Sequence, residues 1–159
     1  MEKMTEKKTR NWNLVLQGST YSSVAEIEEK LANMGVKYAF IEHNQDQKED
    51  LTLKDPHLHL VLAFESPRAF TTIKNLFPTA HIEPVLSLVS SIQYLTHLND
   101  STKVQYDFED IHTNAREWTL NHYNQVDYID NQLILMNEIL NGEYDSWLDI
   151  VMSHKYSWP

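Results

Sequence analysis

Along the chain, stretches of alternating apolar and polar residues give way to stretches with helical spacing. Residues 11–17 (NWNLVLQ) alternate with the two-residue period of a strand that turns one face to a core. Residues 24–34 (VAEIEEKLANM) carry apolar side chains at helical spacing behind two capping candidates, Ser22 and Ser23, and Gly35 supplies the stop. A second strand is expected over 36–42 (VKYAFIE), a polar, acidic loop over 44–56, and a third strand over 58–64 (LHLVLAF), entered from Pro56. Pro67 is expected to open a helix through Phe77, because proline is tolerated in a first helical turn. A short strand over 81–85 and a helix over 88–97 (LVSSIQYLTH) follow. With a hairpin between the second and third strands, this order describes an α+β domain, an antiparallel sheet with flanking helices.

From Asp127 the pattern changes to amphipathic helices, DYIDNQLILMNEIL, ended by Gly142, and then DSWLDIVMSH. A boundary near 123–126 is therefore expected, separating a domain over 1–125 from a helical appendage over 126–159 that reads as the start of a further domain. The chain stops at Pro159 without a closing element, as a piece of a longer protein would. Its longest apolar runs, LVLAF and LILM, fall far short of a membrane span, and MEKMTEKKTR has no apolar signal region. A soluble, cytoplasmic protein with no membrane partner is expected. Cysteine is absent, which removes disulfides, thiolate nucleophiles and cysteine zinc sites.

Net charge is −10, which argues against a polyphosphate partner until its distribution is considered. Residues 1–100 hold 10 basic and 13 acidic side chains, whereas residues 101–159 hold 3 and 10. The first hundred residues thus retain the means to form a local basic face, with nucleic-acid binding that is modest and salt-sensitive.

The stretch His57-Leu58-His59-Leu60-Val61-Leu62 carries the strongest chemical signal. In a strand, His57 and His59 project from one face and the leucines from the other, so the two imidazoles can grip one divalent ion. A surface histidine pair would show the same letters, so further ligands are required. His43 and Asp46 lie where the expected hairpin brings them across from that pair. Three nitrogens and a carboxylate suit Mn²⁺, Zn²⁺ or, less comfortably, Mg²⁺. Glu42, Asp50 and Asp55 are neighbouring acids that spacing alone leaves open. Tyr94, in Gln93-Tyr94-Leu95-Thr96-His97, shares a helical face with His97 if the segment is helical. A phenol, with an ordinary pKa of about 10, needs a base or a polarised phosphate before it attacks phosphorus. His97 is the candidate base, and a tyrosine packed in a core or interface is the alternative.

The order H-x-x-D, H-x-H followed by apolar residues, and Y-L-T-H resembles the three motifs of HUH-superfamily replication initiators. It is most similar to the Rep proteins of small streptococcal-type rolling-circle plasmids, over roughly Arg10 to Asp110, including LANMGVKYAFIEHNQD, HLHLVLAFESP and KVQYDFEDI. The resemblance implies a ferredoxin-like or RRM-like HUH nuclease fold. It also implies His43, Asp46, His57 and His59 as ligands of Mn²⁺ or Mg²⁺, and Tyr94 as the nucleophile. His97 stands where many relatives carry lysine. The implied function is site-specific nicking and rejoining of single-stranded DNA at a replication origin through a 5′-phosphotyrosine, with no organic cofactor. Its partners would be single-stranded or hairpin origin DNA, a second copy of the chain, and a host helicase and polymerase. A conjugative relaxase or single-tyrosine transposase shares this chemistry, and a non-catalytic nucleic-acid-binding module is the reading from outside it.

Overall fold

The computed structural model describes residues 7–125. In chain order its elements are β1 (Lys8–Gln17), α1 (Val24–Ala32), β2 (Lys37–His43), β3 (His57–Ala69), α2 (Phe70–Leu76), β4 (His81–Pro84), α3 (Leu88–Tyr94), β5 (His112–Thr113) and α4 (Arg116–Tyr123). The strands form one antiparallel sheet in the order β4-β1-β3-β2-β5. This is the expected α+β fold, including the hairpin between β2 and β3. The amphipathic segments after Asp127 lie outside the described residues. Among the described residues no helix is long and apolar enough to cross a membrane.

Strand alternation sorts the side chains onto two faces. Trp12, Leu14 and Leu16 of β1, Tyr38 and Phe40 of β2, and Leu58, Leu60 and Leu62 of β3 join Ile27 and Leu31 of α1 and Ile73 of α2 in the main core. On the other face, Ala39, Ile41 and Val61 meet Ile92 and Leu95 in a smaller core, with Trp118 and Tyr123 of α4 against it. Helix α1 begins where Ser23 Oγ accepts the Glu26 amide at 3.2 Å, and the Glu26 carboxylate accepts the Ser22 amide at 2.7 Å. The helix ends before Gly35, whose φ of +62° is the left-handed conformation glycine takes without penalty.

Two elements depart from expectation. Pro67 does not open a helix: β3 runs on to Ala69, and α2 begins at Phe70. The β1–β3 register jumps between Thr9↔Arg68 and Asn11↔Ala63, and Pro67 lies within that irregularity. A bulge tolerates a residue without an N–H, so proline continues the strand there. Helix α3, capped by Ser87 Oγ accepting the Ser90 amide at 3.2 Å, ends at Tyr94 instead of His97. His97 turns out of the helical path with φ +62°.

A candidate metal centre beside a tyrosine

The β2–β3 register sets His43 directly opposite His57, and strand alternation places His59 on the same face. The ring centroids are 5.4 Å apart for His43–His57, 4.4 Å for His43–His59 and 5.0 Å for His57–His59. Asp46, just beyond β2, directs Oδ2 to within 3.3 Å of His43 Nδ1 and 3.2 Å of His57 Nε2. Two groupings among the described residues have ligand atoms close enough to hold one ion: His43, His57 and His59, and His43, Asp46 and His97. Of the other acids, Glu42 and Asp50 are directed elsewhere. Glu42 lies on the main-core face and accepts the Tyr21 hydroxyl at 2.8 Å, and Asp50 accepts both the amide and the hydroxyl of Thr52. Asp55 offers its backbone carbonyl to His57 Nδ1 at 3.0 Å.

Those backbone bonds set the tautomers, because a carbonyl only accepts. His43 donates Nε2–H to the Leu95 carbonyl at 2.6 Å, and His57 donates Nδ1–H to Asp55. Neutral His43 therefore turns the Nδ1 lone pair toward the Asp46 carboxylate, and His57 brings Nε2 to the same oxygen. His43 Nδ1 is buried without a hydrogen-bond partner. Acceptors converging on an acceptor need a cation between them, and a proton is a poor one here. Burial pushes the His43 imidazole down to about 4, against the opposing pull of Asp46. Burial, with the neighbouring His43 and His57, takes His59 down to about 3. The residues present thus fit a divalent metal, held by imidazole nitrogens and a hard oxygen. Asp46 stays ionised: burial raises its carboxyl, but the Tyr106 hydrogen bond and the histidines outweigh that and hold it low.

Tyr94, the last residue of α3, is held above this group by Ile92 and Leu95 in the smaller core. Its ring lies 5.4 Å from that of His59 and 4.9 Å, edge-on, from that of His97. The group on its hydroxyl is Lys103, whose Nζ donates at 2.8 Å and stands 4.8 Å from the ring centroid. Lys103 gets there because Asp100 Oδ1 accepts both the amide and the hydroxyl of Thr102, reversing the chain. The hydrogen bond to Tyr94, more than the nearby carboxylates, holds the Lys103 ammonium above the usual lysine range. His97 is buried, donates Nδ1–H to the Val104 carbonyl at 2.7 Å, and keeps Nε2 buried without a partner. The expected helical pairing of Tyr94 and His97 is thus replaced by a turn that packs His97 against His43, at 4.5 Å between rings.

Sequence reasoning missed Lys103 as a neighbour of Tyr94 and Tyr106 as a partner of Asp46. The Tyr106 hydroxyl donates to Asp46 Oδ1 at 2.7 Å and accepts the Gln45 amide at 3.0 Å, and its ring stacks on His43 at 4.5 Å and 9°. Both residues fall in the KVQY stretch, whose composition carried no such signal. The site opens into a cleft of about 610 Å³ whose rim includes Lys48, Lys54 and Lys103 beside Asp46 and Asp55. A local basic rim therefore exists on a protein of net charge −10.

The chain belongs to the family described as plasmid replication protein, origin binding domain, which matches residues 4–121. It is 28% identical over 114 residues to "Replication protein RepB" of Lactiplantibacillus plantarum, an alignment covering 70% of this chain and 51% of that protein. It is 23% identical over 171 residues to a "Replication protein" of Staphylococcus aureus, covering 94% of this chain and 85% of that one. The chain thus spans about half the length of the first relative and most of the second.

Proposed function

We propose that this plasmid replication protein nicks and rejoins single-stranded origin DNA through a covalent bond to Tyr94, with a divalent metal held by His43, Asp46, His57 and His59. The observation that carries the reading is the convergence of His43 Nδ1 and His57 Nε2 on the Asp46 carboxylate beside a tyrosine hydroxyl that already touches an ammonium. Bound there, Mn²⁺ or Mg²⁺ would supply Lewis-acid polarisation of the scissile phosphate. The Tyr94 oxygen attacks phosphorus in line, its proton passes to water in the open cleft, and the P–O3′ bond breaks. The products are a 5′-phosphotyrosine and a 3′-hydroxyl that takes its proton from water. Lys103 is a donor, not a base: its ammonium stabilises negative charge on the Tyr94 oxygen as it attacks and again as it leaves during rejoining. The ester energy stays in the covalent link, so resealing needs no nucleotide cofactor. We assign this chemistry to a domain over 1–125 and leave 126–159 as an appendage.

The test is to incubate the protein with Mn²⁺ and single-stranded oligonucleotides tiling the DNA beside its own gene, and to look for adducts on denaturing gels. Mass spectrometry should place the nucleotide on the peptide containing SSIQYLTH, and Lys103→Met should slow adduct formation without weakening Mn²⁺ binding. A nucleotide on Tyr106 or Tyr123, or no adduct with any oligonucleotide, overturns the assignment.

A further inference from the structure

Between β2 and β3 the chain leaves the sheet as a small hydrogen-bonded finger. Gln47 and Leu53 form a bridge, Lys54 donates its amide to the Asp46 carbonyl at 2.7 Å, and Lys48 donates to Thr52 at 2.8 Å. At its tip Leu51 is 76% exposed and Leu53 62% exposed. Leu51 also sits at φ +68°, a left-handed conformation that suits glycine or asparagine and is uncommon for a bulky side chain. Neither burial nor the turn explains a leucine there, because a smaller residue would meet the turn's demands with less strain. Lys48 and Lys54 flank the two leucines and line the same cleft as His57 and Tyr94.

We propose that Leu51 and Leu53 form an apolar wedge that enters the base stack next to the target phosphate and separates paired from unpaired DNA, delivering the free strand to Tyr94. The inference rests on the reading of the cleft as a DNA site. The chemistry of the finger matches that partner: ammonium groups neutralise phosphates on either side, and aliphatic tips insert between base steps, as in proteins that unstack and kink DNA. The backbone hydrogen bonds hold the tip rigid, as a wedge requires. The target phosphate must be in unpaired DNA to reach a sheet-borne site, so an element that holds a junction open beside the site has a task there.

The test compares the full 159-residue chain with its Leu51→Gly/Leu53→Ser variant, which relieves the backbone conformation and touches no buried side chain. The probes are stem-loop oligonucleotides from the DNA beside the gene, with 2-aminopurine in the closing base pair, and the same loop sequences as single strands. Wild type is expected to raise the 2-aminopurine fluorescence severalfold, and the variant to leave it quenched. Adduct formation in the variant should stay within about two-fold on the single strand and fall roughly ten-fold on the stem-loop, the difference being the unstacking step. A variant that opens the stem as wild type does overturns the wedge. So does a variant that opens the stem normally but sediments as a smaller species, since the leucines would then join copies of the chain. If wild type forms no adduct even on single strands, the nuclease reading fails, while the fluorescence still decides the wedge.

Discussion

The two faces of one sheet do different work, and β3 shows the division residue by residue. Among the described residues, Leu58, Leu60 and Leu62 enter a core of sixteen buried side chains, whereas the alternate residues His57 and His59 face a second core of five, at whose edge the histidines gather. The first face is buried where Ile27 and Leu31 of α1 and Ile73 of α2 pack on it. On the second, among the described residues, the buried apolar patch is the one where Ala39, Ile41 and Val61 receive Ile92 and Leu95. That small patch docks α3, and docking α3 is what sets Tyr94 over the histidines. Stability and the proposed chemistry therefore separate onto opposite sides of a strand pair whose backbone hydrogen bonds tie them in register.

The largest expected effect is on the chemical face. Tyr94→Phe removes one hydroxyl and keeps the ring, so melting temperature and Mn²⁺ binding should match wild type while adduct formation drops to background. An active variant would break the comparison, because the face would then lack its proposed nucleophile. Next in size is His57→Ala with His59→Ala. Wild type should gain about 2.7 kcal/mol of stability when free Mn²⁺ is about a hundred times its Kd, and the double variant should lose most of that gain. Wild-type Mn²⁺ affinity in the double variant, measured by calorimetry, would remove these residues from the ligand set. On the opposite face, Leu60→Ala should cost about 2–5 kcal/mol in denaturant unfolding and leave Mn²⁺ affinity of the folded protein unchanged.

Much of this division is legible in the letters. The alternation HLHLVL assigns both faces of β3 before any coordinates, and Ser23 and Gly35 bracket α1 through capping and left-handed backbone. Other parts depend on partners distant in the chain. Pro67 reads as a helix start by local rules, yet the bulge against β1 absorbs it into a strand. The two residues of β5 are too few to show a period. Lys103 and Tyr106 reach Tyr94 and Asp46 through a turn closed by Asp100 and Thr102, and polar loop residues have no periodicity from which to read such a path. Helical spacing puts His97 beside Tyr94, yet α3 ends at Tyr94, and it is a left-handed turn that sets the two rings 4.9 Å apart.

A smaller effect follows from titration. The His43 and His59 imidazoles are held down to about 4 and about 3 chiefly by burial, so in the folded, metal-free protein they remain neutral where the unfolded chain takes up protons. The unfolded state then binds more protons below its own pKa of about 6.5, and stability is lost as pH falls from about 6.5 toward 4, by at most about 1.4 kcal/mol per pH unit for each histidine. The Asp46 contribution has the opposite origin and a different window. Its carboxyl is held low, so its stabilisation is present above the ordinary aspartate pKa and is lost only at more acid pH. Denaturant titrations in EDTA between pH 5 and 7 should show the slope, and His59→Gln should reduce it. An unchanged slope in that variant would place the proton uptake elsewhere.

The finest test uses a pair of tyrosines that differ mainly in the face they occupy. Tyr21 donates to Glu42 at 2.8 Å on the main-core face, and Tyr106 donates to Asp46 at 2.7 Å on the site face. Burial, followed by the carboxylate partner, raises both phenols above the usual tyrosine range, so each is a fixed donor at neutral pH. Phenylalanine at either position deletes the bond and keeps the ring. Tyr21→Phe should cost about 1 kcal/mol of stability, since its bond is half exposed, and leave Mn²⁺ affinity untouched. Tyr106→Phe should cost no more in stability, because the ring stack on His43 survives, yet lower Mn²⁺ affinity about ten-fold by freeing Asp46 to rotate. Paired unfolding curves and Mn²⁺ titrations on the two variants would show whether the effects split by face. Equal Mn²⁺ affinities in both would mean that Asp46 is oriented by the histidines alone, and Tyr106 would then be a packing residue that happens to lie beside the site.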